Sequence, residues 1–152
     1  MNNEAIYRIP QTADSKVIIG NSRFCDDVWD LEPLISVKSQ SPSRKKLKFN
    51  NIHSAQLKFT VKQYIYYKLG QVKAQTAIGT MHSLAYFMRF CKINNIYSLE
   101  KITTKTLLTF AIWLKSECGI GKRTSYLASF AVEEMIKVGQ IKGWLVPDYD
   151  VL

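Results

Sequence analysis

Residues 75–91 read QTAIGTMHSLAYFMRFC. At about 3.6 residues per turn, Ala77, Met81, Leu84, Met88 and Cys91 fall on one stripe, so the stretch predicts an amphipathic helix with one face turned to a core. The opposite stripe is Gln75, Gly79, His82, Tyr86 and Arg89. A merely solvated face is normally filled with Glu and Lys, which form helices well and keep a chain soluble. This one is nearly uncharged and holds a glycine, which raises the question of what it touches.

The same periodicity recurs on both sides. An upstream helix is expected to open at Ser54 as N-cap, to carry Leu57, Val61, Tyr64 and Ile65 inward, and to stop at Gly70. The quoted helix runs from about Lys73 to Asn94. A third starts at Thr103 or Thr104 and buries Leu107, Phe110, Ala111 and Leu114, with Gly119 and Gly121 breaking the chain after it. A fourth spans about Lys122 to Val138, with Leu127, Phe130, Ala131, Met135 and Val138 inward and Gly139 as its stop. Ser125 and Ser129 then face outward, and Glu134 falls near the inward stripe, where an apolar residue is expected. Four such helices with short connections close a single core, so the fold class is all-α, a four-helix bundle with a partly extended N-terminal segment.

Residues 1–43 differ in composition. KVIIG predicts a short strand, and RFCDDVWDLEPLI an anchoring segment in which Trp29, Leu31 and Leu34 dock on a neighbouring surface. SVKSQSPSRKKLK reads as a basic, Ser/Pro-rich linker, either solvated or touching phosphates. The expected organisation is an N-terminal extension and linker over 1–50, a helical domain over 51–146 and the start of a further linker over 147–152, with the tail GWLVPDYDVL leaving the bundle.

The formal charge is +9 over 152 residues, and it is unevenly spread. Residues 1–43 carry four Lys/Arg against six Asp/Glu, and residues 44–152 carry seventeen against six. From Arg44 to Leu99 there are ten basic residues and no acidic one. Such a region attracts polyanions. An anionic membrane is the other polyanion, but no basic amphipathic tail or lipidation signal stands out. The amino terminus lacks a charged-then-apolar signal layout and no apolar run approaches a membrane span, so a cytoplasmic protein is expected.

Enzyme signatures are missing from the sequence. It has no phosphate loop, dinucleotide fingerprint, H-E-x-x-H or G-x-S-x-G. Cys25, Cys91 and Cys118 are an odd set with no C-x-x-C pair, so neither a disulfide framework nor a zinc site is suggested. The spacing offers Cys91 and Cys118 no base, and His82 is read as a surface imidazole. No metal, cofactor or small-molecule substrate is expected, and this stretch of chain is not expected to be an enzyme by itself.

What the second helix offers outward is Lys73, Gln75, Thr76, Gly79, His82 and Ser83. Small groups let a helix backbone approach a partner, and amide, imidazole and hydroxyl groups hydrogen-bond to phosphates or base edges. The fourth helix repeats the theme with Lys122, Arg123, Ser125 and Tyr126 at its start, where free N–H groups also favour anions. The alternative is that these faces pack against other protein. A helix-turn-helix regulator fits less well, because the Gly119–Gly121 turn joins helices longer than that motif uses.

The run TAIGTMHSLAYFMRFCKINNIYSLEKITTKTLLTFAIWLK, followed by KRTSYLASFAVEEMIKVGQIKGWL, resembles the amino-terminal core-binding domain of tyrosine recombinases, the phage integrase family. The likeness covers about residues 54–146 and lies in the order and spacing of core positions. It implies an orthogonal, SAM-like helical bundle that forms half of a clamp on double-stranded DNA, beside other recombinase protomers. It places the second and fourth helices toward the major groove, and so points to Gln75, Thr76, Gly79, His82, Ser83, Lys122, Arg123 and Tyr126 as mainly backbone contacts. The family's catalytic Arg, His and Tyr belong to a carboxy-terminal domain that would begin where this sequence ends. VPDYDVL is then the start of the linker to it, and the full-length parent a tyrosine recombinase.

Overall fold

The computed structural model describes residues 16–36 and 42–151. The sequence expectations for residues 1–15, for 37–41 of the basic linker and for Leu152 lie outside these. Among the described residues the chain is mostly helical, with α1 Ala55–Leu69, α2 Ala74–Ile93, α3 Thr104–Ser116 and α4 Lys122–Lys142. It is not all-α. Two small antiparallel sheets precede the helices: β1 Ile18–Ile19 with β2 Ser22–Arg23, and β3 Val28–Asp30 with β4 Lys46–Lys48.

The second sheet corrects the reading of residues 36–48 as a linker. Val-Trp-Asp and Lys-Leu-Lys both alternate with period two, so pairing them sends one side chain of each triplet inward. Trp29 faces Leu47 in the register, and both are buried while Lys46 and Lys48 stay out. Between the strands, Glu32–Leu34 and Pro42–Lys45 form single 3-10 turns. Leu34, expected to dock, is half exposed. The β1–β2 turn is fixed by Gly20, whose φ is +57° and where a Cβ would meet the carbonyl oxygen of Asp30 at 2.2 Å. Only glycine fits such a corner.

These hairpins share one core with the helices. Trp29, Leu31, Leu47 and Phe49 belong to the same buried cluster as Leu57, Tyr64, Leu84 and Met135. Lys62 of α1 holds the joint. Its buried ammonium donates to the Phe24 carbonyl at 2.9 Å and lies over the Phe24 and Phe49 rings, at 5.8 and 5.5 Å from their centroids. Burial pulls its pKa below the ordinary lysine value, against the opposing attraction of Asp27.

Within the bundle, α2 is central and packs on α1, α3 and α4. Its stripe of Ala77, Met81, Leu84, Met88 and Cys91 is buried, as the periodicity predicts. Phe87 and Phe90 meet Phe110 of α3 with centroids 5.0 and 5.3 Å apart, a contact worth more than its area alone. Ser54 caps α1 by accepting from the Leu57 amide, and Thr103 with Thr106 forms a capping box on α3. Both caps follow from local sequence.

The fourth helix departs from expectation. It continues through Gly139 to Lys142 and ends at Gly143 in the left-handed conformation. Its inward residues are Ser125, Ala128, Ala131, Val132, Met135, Ile136 and Gly139, whereas Leu127 and Phe130 are exposed. The tail does not leave the bundle. Trp144, Leu145, Val146 and Val151 are buried, Tyr149 donates to the Ile102 carbonyl at 2.8 Å, and Thr104 donates to the Val151 carbonyl at 2.9 Å. No helix among the described residues is long and apolar enough to cross a membrane.

Candidate nucleic-acid interface

The outer face of α2 is a ridge with two shallow grooves beside it. The first, about 400 Å³, is lined by Arg44, Gln75, Ile78, Gly79 and His82. The second, about 340 Å³, is lined by His82, Ser83, Ala85, Tyr86, Arg89 and Thr124. His82 lines both, so the two make one strip that runs from the Pro42–Lys45 turn along α2 to the first turn of α4. No carboxylate lines either groove.

Local helical chemistry sets what this strip presents. Thr80 and Ser83 turn their hydroxyls back to the carbonyls of Thr76 and Gly79, at 3.1 and 3.3 Å. Each hydroxyl oxygen keeps lone pairs for an outside donor. Arg89 is pre-aimed: its guanidinium lies 5.8 Å from the Tyr86 ring centroid and 5.5 Å from that of Trp113. Stacking restrains the side chain while leaving the edge of the guanidinium able to donate. Neither α2 nor α4 has a side-chain cap at its N-terminus, the N-caps being Lys73 and Gly121. Their first-turn N–H groups therefore add positive potential at each end of the strip.

The residues singled out in the sequence divide into three groups. Gln75, Gly79, His82 and Ser83 line the strip. Lys73, Thr76, Lys122 and Arg123 are exposed around it without lining a groove, and Lys122 and Arg123 directly precede Thr124. Ser125 and Tyr126 do not join it. Ser125 is only 8% exposed and faces the core, which removes it as a contact residue. Tyr126 is exposed, but its ring pairs with Phe130 at 6.1 Å on the outer side of α4.

Four polar residues of the strip lie outside the set chosen from sequence, beside the apolar Ile78 and Ala85. Tyr86 and Arg89 were visible on the opposite stripe of α2 but not selected. Thr124 sits beside the chosen Lys122–Arg123 pair and becomes a lining residue because the true phase of α4 turns Ser125 inward. Arg44 reads from sequence only as part of a basic linker that is either solvated or touching phosphates, and β3–β4 pairing is what delivers it to α2.

Reactive groups are not assembled here. Cys91 is buried in the core, and burial pushes its thiol up to about 12. Cys118 lies with its sulfur 3.9 Å from an Arg89 nitrogen. No group of three metal-ligating side chains is gathered among the described residues. The chain matches no family model, no curated protein and no solved structure.

Proposed function

We propose that the chain is a duplex-DNA-binding module of the kind its sequence resembles, the SAM-like core-binding domain of a tyrosine recombinase. In this reading α2 and the start of α4 seat against the duplex, and catalysis belongs to another domain of the parent protein. The observation that carries it is the continuous carboxylate-free strip from Arg44 to Thr124, flanked by exposed Lys73, Lys122 and Arg123. Its donors, Arg44 on the Pro42–Lys45 turn with Gln75 and Arg89 on α2, suit phosphate positioning better than base readout.

Phosphate binding has a salt signature. Each neutralised phosphate releases counterions, so the logarithm of affinity falls with the logarithm of salt at a slope near ~0.9 per contact. Lys122→Glu combined with Arg123→Glu is expected to weaken binding to any duplex on the order of a hundredfold at low salt, and to flatten that slope by about two contacts. A gel-shift titration in which the double variant binds like the wild type contradicts the assignment.

A second reading draws on exposed apolar side chains of α3 and α4. Leu108 and Ile112 of α3 are more than half exposed, with Tyr126 and Phe130 of α4 also outside the core. Large exposed apolar side chains mark protein contacts. A helical interaction module with incidental charge predicts no duplex binding at moderate salt and a defined oligomer by light scattering.

A further inference from the structure

We propose that the Pro42–Lys45 turn and α2 together seat one backbone phosphate of the duplex, with Arg44 as its cation and the bare helix backbone at Gly79 as its floor. The inference rests on the DNA-binding reading and extends the interface into the hairpin, a part of the chain that the sequence separates from the helical domain.

One glycine in α2 is not required by the fold. Gly79 stands in the middle of α2, exposed, where glycine weakens a helix relative to alanine. A Cβ built there meets no atom within 4 Å. Gly20 and Gly139 differ, since a Cβ at either would strike this chain's own atoms at under 3 Å. The absent side chain at position 79 makes room for something outside the chain, and the room is the Arg44–His82 groove.

That groove has the chemistry of a phosphodiester site. The neighbouring Lys45 is paired to Glu32 at 3.7 Å, whereas Arg44 has no ion pair among the described residues. Its planar fork matches two phosphate oxygens at once. The Gln75 amide and the His82 imidazole supply further polar groups, and Ile78 gives an apolar wall against which a sugar can lie. The groove is open and continues past His82 toward Arg89 and Thr124, which fits a polymer better than an isolated anion.

The test uses the full chain and a fluorescein-labelled duplex of mixed sequence, with anisotropy read across a salt series. Arg44→Ala is expected to weaken binding on the order of tenfold and to lower the salt slope by about one contact. Arg44→Lys keeps the slope while recovering only part of the affinity. Gly79→Leu keeps or raises the thermal midpoint, because the space is empty, yet weakens binding on the order of tenfold. Lys101→Ala, in the connection between α2 and α3, leaves affinity near that of the wild type.

Three results overturn the proposal and differ in meaning. If Arg44→Ala and Gly79→Leu both bind like the wild type while Lys122→Glu with Arg123→Glu fails, the seat is wrong and the DNA-binding reading stands. If the wild type binds no duplex at low salt, both fall. If Arg44→Ala weakens binding but leaves the salt slope unchanged, Arg44 neutralises no phosphate and the seat is wrong.

Discussion

Glu134 is an acidic residue beside the inward stripe of α4, and its partners explain it. The Tyr64 hydroxyl donates to its Oε1, and the Lys68 ammonium donates to the same oxygen at 2.9 Å. Burial raises the carboxyl's pKa, but the Tyr64 and Lys68 hydrogen bonds outweigh it and hold the group below the ordinary 4.5. Burial and the adjacent carboxylate push the Tyr64 phenol well above its usual range, so it remains a donor. A folded carboxyl with a lowered pKa contributes stability that is complete above the unfolded value and is lost as pH falls through the folded one. Glu134→Gln is therefore expected to cost roughly 1–3 kcal/mol near neutrality, since Lys68 loses its counter-charge. The variant should also lose less stability than the wild type on acidification. Urea melts near neutrality and below about pH 4 check this, and an equal acid-side loss in both proteins contradicts it. None of this was legible from the sequence, because Tyr64 and Lys68 come from α1, some seventy residues upstream.

At the scale of the element, α1, α2 and α3 were legible, and α4 was legible in its start but not in its end or its full phase. In the first three the predicted stripe carries large side chains that are buried, such as Leu57, Tyr64 and Ile65 in α1, Met81, Leu84 and Met88 in α2, and Phe110 and Leu114 in α3, so a reading weighted by hydrophobicity finds the right face. The buried face of α4 is instead made partly of small residues, Ser125, Ala128, Ala131 and Gly139, which let the helix lie close to its neighbours. Leu127 and Phe130 outweigh them in any apolar count, and so the sequence turned Ser125 outward. Gly139 then looked like a stop, whereas it is a packing position: a Cβ there meets both Val146 methyls at 2.9 Å and the Trp144 ring at 3.2 Å. The same substitution is thus expected to have opposite signs in two helices. Gly139→Ala should destabilise by about 1–2 kcal/mol, because the β-branched Val146 and the Trp144 indole must give way. Gly79→Ala should stabilise by up to about 1 kcal/mol, having only helix propensity to change. Thermal or urea melts of the two variants decide it, and a loss of stability at Gly79→Ala would mean that the α2 ridge packs against this chain after all.

For the whole molecule, the contents of the interface were half legible. Gln75, Gly79, His82 and Ser83 showed themselves as an uncharged stripe where charge was expected. The hairpins were less visible. Their strands are two or three residues long, too short for periodicity to separate from a turn. Only β3–β4 pairing gathers Trp29 and Leu47 into the core and brings Arg44 to α2. The described surface offers a polar, carboxylate-free strip along α2, and exposed apolar side chains at Leu108, Ile112 and Phe130. The two functional readings divide between these residue sets, so a residue-resolved map of where a duplex lands separates them. The direct measurement is a titration of the isotopically labelled protein with duplex DNA at low salt, following backbone amide resonances. The account predicts shifts concentrated at Gln75, Gly79, His82, Arg89 and Thr124, with Leu108 and Ile112 unmoved. Shifts centred on Leu108, Ile112 and Phe130, or none anywhere, would contradict it.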